Sequence, residues 1–313
     1  MRLSRRSFAL TPAASLWAQS PAPPLLLITS ESHGAHLGAL GTPGLLTPRL
    51  DALAEAGTLY TRCYATGPIR LAPEITWRTG NPRETYAALL EVFTKKPASV
   101  QVTLPAAATF PNARPPVDPR DVALPASLPN LPAVREAWAA YLTSVQCADA
   151  LAGAILDALD RTGRAGETLV LYTALAGPAV FRGRGTLYDL ALHVPLIARG
   201  PAIAPHHRQH ELVPVTGLPA ITPQATIAAA SDLARSLFDG RFHYLRNLQP
   251  GTLAPAPAAW AEAREKFPLH WRLLTTAAPA EELYDHDADP FELHNLAADP
   301  AYAAVRSRLA KGV

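Results

Sequence analysis

Residues 25–29 form an unbroken apolar run, closed off by Pro24 on one side and by Ser30-Glu31-Ser32 on the other. Such a run leaves no wet face, so it predicts a strand covered on both sides in a parallel sheet, with its carboxyl end opening into a loop. Thr47-Pro48 precedes Leu50, Leu53 and Ala54, and Gly57 follows. A capping threonine, a proline at the first turn and a glycine at the exit predict a short helix. Residues 58–65 alternate apolar and polar side chains, as a half-buried strand does. Val134, Trp138, Tyr141, Val145, Ala148, Ala152, Ile155 and Leu159 recur at spacings of four and three. That period predicts one long amphipathic helix reaching about Arg161. Residues 169–173 and 194–198 are two further apolar runs, and strands alternating with helices predict a layered α/β domain. Past Gly240 the pattern changes: residues 241–245 alternate as a strand, and the remainder is acidic and rich in turns. A smaller C-terminal α+β subdomain is predicted there. The proline-laden stretch 105–132 reads as a loop over the surface.

With 313 residues and 49% apolar side chains, the chain can bury a large core. The formal net charge is only +2, and the arginines are scattered, so no nucleic-acid footprint is expected. Two cysteines, Cys63 and Cys147, have neither disulfide-scaffold nor metal-type spacing. Ser4-Arg5-Arg6-Ser7-Phe8, a short apolar stretch and Ala18 look like a twin-arginine export signal. The expected organisation is an export signal over 1–18, an α/β domain over 19–239 and a C-terminal subdomain over 240–313. No run approaches the roughly 18 apolar residues that span a bilayer, so a periplasmic or secreted product without a transmembrane segment is expected.

Four strings, in order, resemble the sulfatase family of the alkaline-phosphatase-like superfamily, and its heparan N-sulfatase branch in particular. They are the opening strand with Glu31-Ser32-His33-Gly34, the helix from Thr47 to Gly57, and the segment from Leu187-Tyr188 to Val194-Pro195-Leu196-Ile197. The fourth is Glu282-Leu283-Tyr284-Asp285 through Asp289-Pro290-Phe291-Glu292-Leu293-His294-Asn295-Leu296. The long helix, carrying Asp149, is similar to the segment that leads to a family aspartate. The resemblance implies an alkaline-phosphatase-like three-layer sandwich with a mainly parallel sheet. It also implies sulfuric-ester hydrolysis with a divalent cation, usually calcium, and a formylglycine made from Cys or Ser in a C-x-P-x-R motif.

The residues at those positions depart from that chemistry. The family's aspartate pair falls on Glu31 and Ser32, leaving one carboxylate as a metal ligand. Counted back from Thr79-Gly80, the nucleophile position is Arg70, the motif proline Ala72 and the motif arginine Glu74. The second metal motif falls on Leu175, Ala176 and Gly177, whose first two side chains are hydrocarbons that offer nothing to a hard cation. The family lysine before Gly185-Thr186-Leu187-Tyr188 is Arg184, which keeps the charge but turns a point donor into a planar fork. Gly80 is followed so soon by Lys96-Pro97 that the family's next strand and helix, with their Lys and His, are expected to have no counterpart.

His33 and His36 beside Glu31 are auxiliary candidates for acid–base or soft-metal chemistry. His206, His207 and His210 form another cluster on a loop, and Cys63 lacks the motif around it. Arg70, Arg78, Arg83 and Arg184 can either converge on the vacated pocket or form surface salt bridges. The expectation is therefore an exported sulfatase-family protein that is catalytically silent, holds no cofactor, and binds a sulfated or other anionic glycan or a protein. The alternative is a working sulfuric-ester or phosphate-ester hydrolase rebuilt around Glu31, His33 and Arg184.

Overall fold

The computed structural model describes residues 22–106, 114–251 and 260–313. The first part comprises β1 (Leu25–Ser30), α1 (Pro48–Glu55), β2 (Thr58–Tyr64), β3 (Ile75–Arg78), α2 (Pro82–Thr94), β4 (Ser99–Leu104) and α3 (Pro132–Arg161). It continues through β5 (Leu169–Ala174), α4 (Asp189–Leu192), β6 (His193–Arg199), β7 (His207–Gln209) and β8 (Val213–Pro214). The last part holds β9 (Ile227–Ala230), β10 (Ala234–Phe238), β11 (Phe242–Asn247), α5 (Ala263–Lys266), α6 (Pro268–Thr275), β12 (Glu281–Asp285) and α7 (Ala303–Ala310).

The large sheet runs in the order β3-β4-β1-β5-β6-β2-β7, with β8 paired to β2. β3, β4, β1 and β5 are parallel neighbours. β6 runs antiparallel to both β5 and β2, so the sheet is mixed and mainly parallel. β1 and β5 are buried at every position, as their continuous apolar runs demand. Successive strand residues face opposite sides. Leu26, Ile28, Val170 and Tyr172 meet Leu50 and Leu53 of α1, Leu89 and Phe93 of α2, and Leu151 and Ile155 of α3. Leu25, Leu27, Leu169, Leu171 and Leu196 turn the other way, under Val213, Val215 and Leu218. That second cover comes from β8 and the short turn after it rather than from an α-helix.

Among the described residues, α3 is long and apolar enough by composition to cross a membrane, yet 72% of its most apolar window is buried in the fold. Its apolar stripe is the floor of the core. The α1 start differs from the sequence expectation. Thr47 does not cap; its hydroxyl accepts the Gly38 N–H at 2.8 Å and donates to Asp51 Oδ1 at 2.8 Å. Asp149 of α3 caps instead, its Oδ1 accepting the N–H groups of Arg49 (2.9 Å) and Leu50 (2.8 Å). The helix exits at Gly57, where a Cβ would lie 2.1 Å from the Ala198 carbonyl oxygen, so only glycine lets the chain pass β6.

Two expectations are corrected. The stretch after Gly80 was expected to lack a strand and a helix, but α2 and β4 stand there, and β4 pairs with β1 in the middle of the sheet. The local signals are Asn81, whose side chain accepts the Arg83 N–H at 2.9 Å, and Pro82 at the first helical turn. The proline-laden loop is also more than a surface wrap. Its Val122, Leu128 and Leu131 are buried with Trp138 of α3 and with Trp260 and Leu274 from the C-terminal part.

The second sheet is antiparallel, in the order β12-β11-β10-β9, and draws its first strands from before residue 240. Phe238, Leu245 and Tyr284 on one face pack on Tyr64, Leu187 and Leu192 of the larger body. Tyr244 and Leu283 on the other face pack on Leu309 of α7. This docking brings the turn after β12 against α4, which positions the cavity described below.

Candidate functional site

β1 and β5 pair in parallel register from Leu25 with Leu169 to Ser30 with Ala174, so the residues that follow them leave the sheet together. Leu175 N–H donates to the Ser30 carbonyl at 2.8 Å, and His33 N–H to the Ala176 carbonyl at 2.8 Å. The Ser32 hydroxyl donates to the Gly177 carbonyl at 2.8 Å. The two stretches that resemble the metal motifs thus meet at the carboxyl edge, where ligand groups gather in open α/β sheets. Their donor set does not fit a hard cation. Glu31 supplies the one carboxylate, and it is engaged: Oε1 pairs with Arg78, and Oε2 accepts the Ala106 N–H at 3.2 Å. Leu175 points partly to solvent at 39% exposure and offers no oxygen.

His33 is fully buried beneath this edge. Its Nε2 lies 2.9 Å from the His36 carbonyl, which can only accept, so Nε2 carries the proton and Nδ1 accepts from the Tyr172 hydroxyl at 2.7 Å. Burial pushes the imidazole pKa down to about 4, against the support of the His36 carbonyl. His36 has the Tyr141 hydroxyl 2.9 Å from Nδ1, and that hydroxyl accepts the Gly34 N–H at 3.0 Å. Burial, with His33 and His193 nearby, lowers the His36 pKa to about 3. Both rings are neutral structural partners at neutral pH.

The expected arginines do not gather there. Glu74, at the motif-arginine position, precedes β3 and holds the Ala98 N–H at 2.7 Å, at the amino edge of the sheet. Arg70, in the chain between β2 and β3, lines a shallow groove with Thr66, Gly67, Pro68, Thr216 and Ala228. Arg184 is exposed on the turn after Arg182. Only Arg78 reaches Glu31, as a salt bridge whose arginine is 67% exposed. Cys63 is buried in β2, and burial pushes its thiol far above the ordinary range, which removes it as a nucleophile.

A cavity of about 230 Å³ opens beside His36, between the α4 region and the turn after β12. Arg182, Tyr188, Asp189, His193 and Glu292 line it. Arg182 is buried, stacks 4.3 Å from the Tyr188 ring centroid and donates to the Glu292 carbonyl. His193 Nδ1 is 3.5 Å from Asp189, and its Nε2 donates to the Thr61 carbonyl at 2.9 Å. Burial alone would lower the His193 pKa; the Asp189 carboxylate outweighs it and raises it. Glu292 Oε2 accepts the Asp189 N–H at 2.9 Å, while Oε1 meets His243 Nδ1 and, at 3.0 Å, His286 Nε2. Burial would raise the Glu292 carboxyl, but His243 and His286 hold it below the usual range.

Residues 93–239 match the sulfatase family model. A choline-sulfatase from Rhizobium meliloti (strain 1021) is 29% identical over 178 residues, covering 53% of this chain and 34% of that protein. The chain is a relative of the sulfatases. The Homo sapiens N-sulphoglucosamine sulphohydrolase is 37% identical over 84 residues, covering 27% of this chain and 17% of its own. The matched stretch thus spans about a third or less of the length of these curated relatives. Among solved structures, the phosphonate monoester hydrolase of Agrobacterium radiobacter superposes with a TM-score of 0.65 at 15% identity, covering 93% of this chain and 94% of that one. A 2-O GAG sulfatase gives 0.61 at 14%, covering 93% and 91%. At such identities the likeness is one of fold, and the fold is that of the alkaline-phosphatase-like sulfatases.

Asp189, His193, His243, His286 and Glu292 were not singled out by sequence reasoning in this sulfatase relative. Glu292 and His286 stand in the C-terminal signature, but their partners come from β11 and α4, and no local spacing links those elements.

Proposed function

We propose that this chain is a sulfatase relative that no longer hydrolyses sulfuric esters and that binds an anionic glycan outside the cell. The observation that carries this reading is the donor set where β1 and β5 end. Ser32, Leu175 and Ala176 stand where the resemblance puts metal ligands, and the Glu31 carboxylate is already paired with Arg78. A cation at that edge has nothing to replace most of its water, and without it neither polarisation of a sulfate nor a metal-held nucleophile is available. The glycan part of the reading rests on the exposed guanidinium groups of Arg78, Arg83 and Arg184, which match sulfate and carboxylate geometry. Export rests on Arg5-Arg6, which lie outside the described residues.

The rebuilt-hydrolase alternative is weaker on the same geometry. His33 has both ring nitrogens engaged and is fully buried, and Arg184 is exposed on its turn. Neither can exchange a proton with a substrate held by Glu31. The test is a calcium titration and an aryl-sulfate turnover assay on the purified protein, followed by binding to heparan-type and unsulfated glycans. Negligible calcium heat, no turnover and preference for the sulfated glycan are expected. Calcium-dependent turnover would overturn the reading.

A further inference from the structure

Among the described residues, one group of ligand-type side chains converges in a form that a cation can use: His243, His286 and Glu292, whose ligand atoms all lie within 4.8 Å of one another. We propose that these three residues form a binding site for a borderline transition-metal dication of the zinc class. The site stands in the C-terminal sheet, apart from the carboxyl edge, and the inference holds whether or not that edge is silent. Two imidazoles and one carboxylate select zinc, cobalt or nickel over calcium, because imidazole nitrogen is a poor partner for a hard cation.

The geometry is close to what such an ion needs. His286 Nε2 stands 3.0 Å from Glu292 Oε1. A tetrahedral ion with bonds of about 2.0–2.1 Å holds its ligand atoms about 3.3 Å apart, so this contact opens by a few tenths of an ångström to admit it and the shorter His243–Glu292 contact opens by more. The ligands sit on fixed supports. His243 lies within β11, paired on both sides, and His286 directly follows β12, its N–H on the Arg241 carbonyl at 2.9 Å. Glu292 is held in the left-handed region at φ +58°, uncommon for a residue with a side chain, and Arg182 clasps its carbonyl. The Asp189 N–H occupies Oε2 and leaves Oε1 facing the imidazoles, as an outer partner orients a ligating carboxylate. His243 is 2% exposed, with Nδ1 on Glu292 Oε1 and a buried Nε2 that has no hydrogen-bond partner. The cavity of about 230 Å³ is lined by Glu292 among the three.

The deciding experiment titrates zinc chloride into chelator-treated full-length protein by calorimetry. Unaltered protein, His286→Ala, Glu292→Gln and a control with His206→Ala, His207→Ala and His210→Ala are compared. One site in the unaltered protein and in the control is expected, with affinity at least about tenfold weaker in His286→Ala and Glu292→Gln. Absence of zinc binding, equal affinity in all four, or loss confined to the loop-histidine control would each overturn the assignment. Cobalt added to the unaltered protein keeps the question answerable if a variant does not fold. An intense visible spectrum of a low-coordinate ion is expected, and a spectrum like that of aqueous cobalt would overturn the site.

Discussion

The Ser32 hydroxyl donates to the Gly177 carbonyl across 2.8 Å, tying the chain after β1 to the chain after β5 at the carboxyl edge of the sheet. Oxygen ligands placed there should therefore converge. The triple variant Ser32→Asp, Leu175→Asp, Ala176→Asn is expected to bind calcium with a dissociation constant of about 10⁻⁴–10⁻³ M, the range of weak all-oxygen sites. Isothermal titration of parent and variant checks this. The same negligible heat in both would mean that these side chains do not share a cation. Turnover should stay absent, because Arg70 still stands at the nucleophile position and cannot be oxidised to an aldehyde.

Tyr172 and His33, both fully buried, depend on each other for satisfaction. Tyr172→Phe removes the donor to His33 Nδ1 while keeping the ring, so a buried acceptor is left alone. A loss of about 1–3 kcal/mol in urea unfolding is expected. A stability within a few tenths of the parent would show that the hydrogen bond contributes nothing net.

Much of the fold is legible in the sequence because the strongest signals are long or unbroken. The runs 25–29, 169–173 and 194–198 became β1, β5 and β6, and the alternating fours and threes became α3. What stayed hidden was non-local. The α1 cap comes from Asp149 on α3, far along the chain from Thr47, and the direction of β6 is set by its neighbours rather than by its composition. The α2 start is written locally, in the Asn81 cap and Pro82 at the first turn. At the site, the meeting of residues 31–32 with 175–177 follows from the register of two strands, which the matched strings anticipated. Arg70 lies between β2 and β3, where no strand register fixes which residues it faces. The His243, His286 and Glu292 cluster needed the docking of β11 against the turn after β12, which no periodicity encodes.

Export through the twin-arginine route depends on the paired guanidinium groups of Arg5 and Arg6. Replacing both by lysine keeps the charge and loses the planar forks. The variant is expected to accumulate in the cytoplasm as unprocessed precursor, seen by fractionation and immunoblot. Unchanged export would show that this pair is not read.

Asp149 couples stability to pH in the direction opposite to an ordinary surface carboxylate. Burial, partly offset by the N–H groups of Leu50 and Arg49, raises its pKa from 3.8 to about 6. The contribution of a group whose folded pKa is raised is fully present below the unfolded value and is lost as pH rises through the folded one. The window is thus about pH 4 to 6. At pH 7 a shift of about two units costs about 3 kcal/mol. Asp149→Asn keeps an Oδ1 acceptor for the Arg49 and Leu50 N–H groups and never ionises. It is expected to be about 3 kcal/mol more stable than the parent at pH 7 and equal to it near pH 4. Asp149→Ala, which leaves both N–H groups without their acceptor, should be less stable than Asp149→Asn by about 1–3 kcal/mol at both pH values. Urea unfolding of the three proteins at the two pH values separates capping from charge. If parent and Asp149→Asn differ by the same amount at pH 4 and pH 7, ionisation of Asp149 has no part in the stability of this fold.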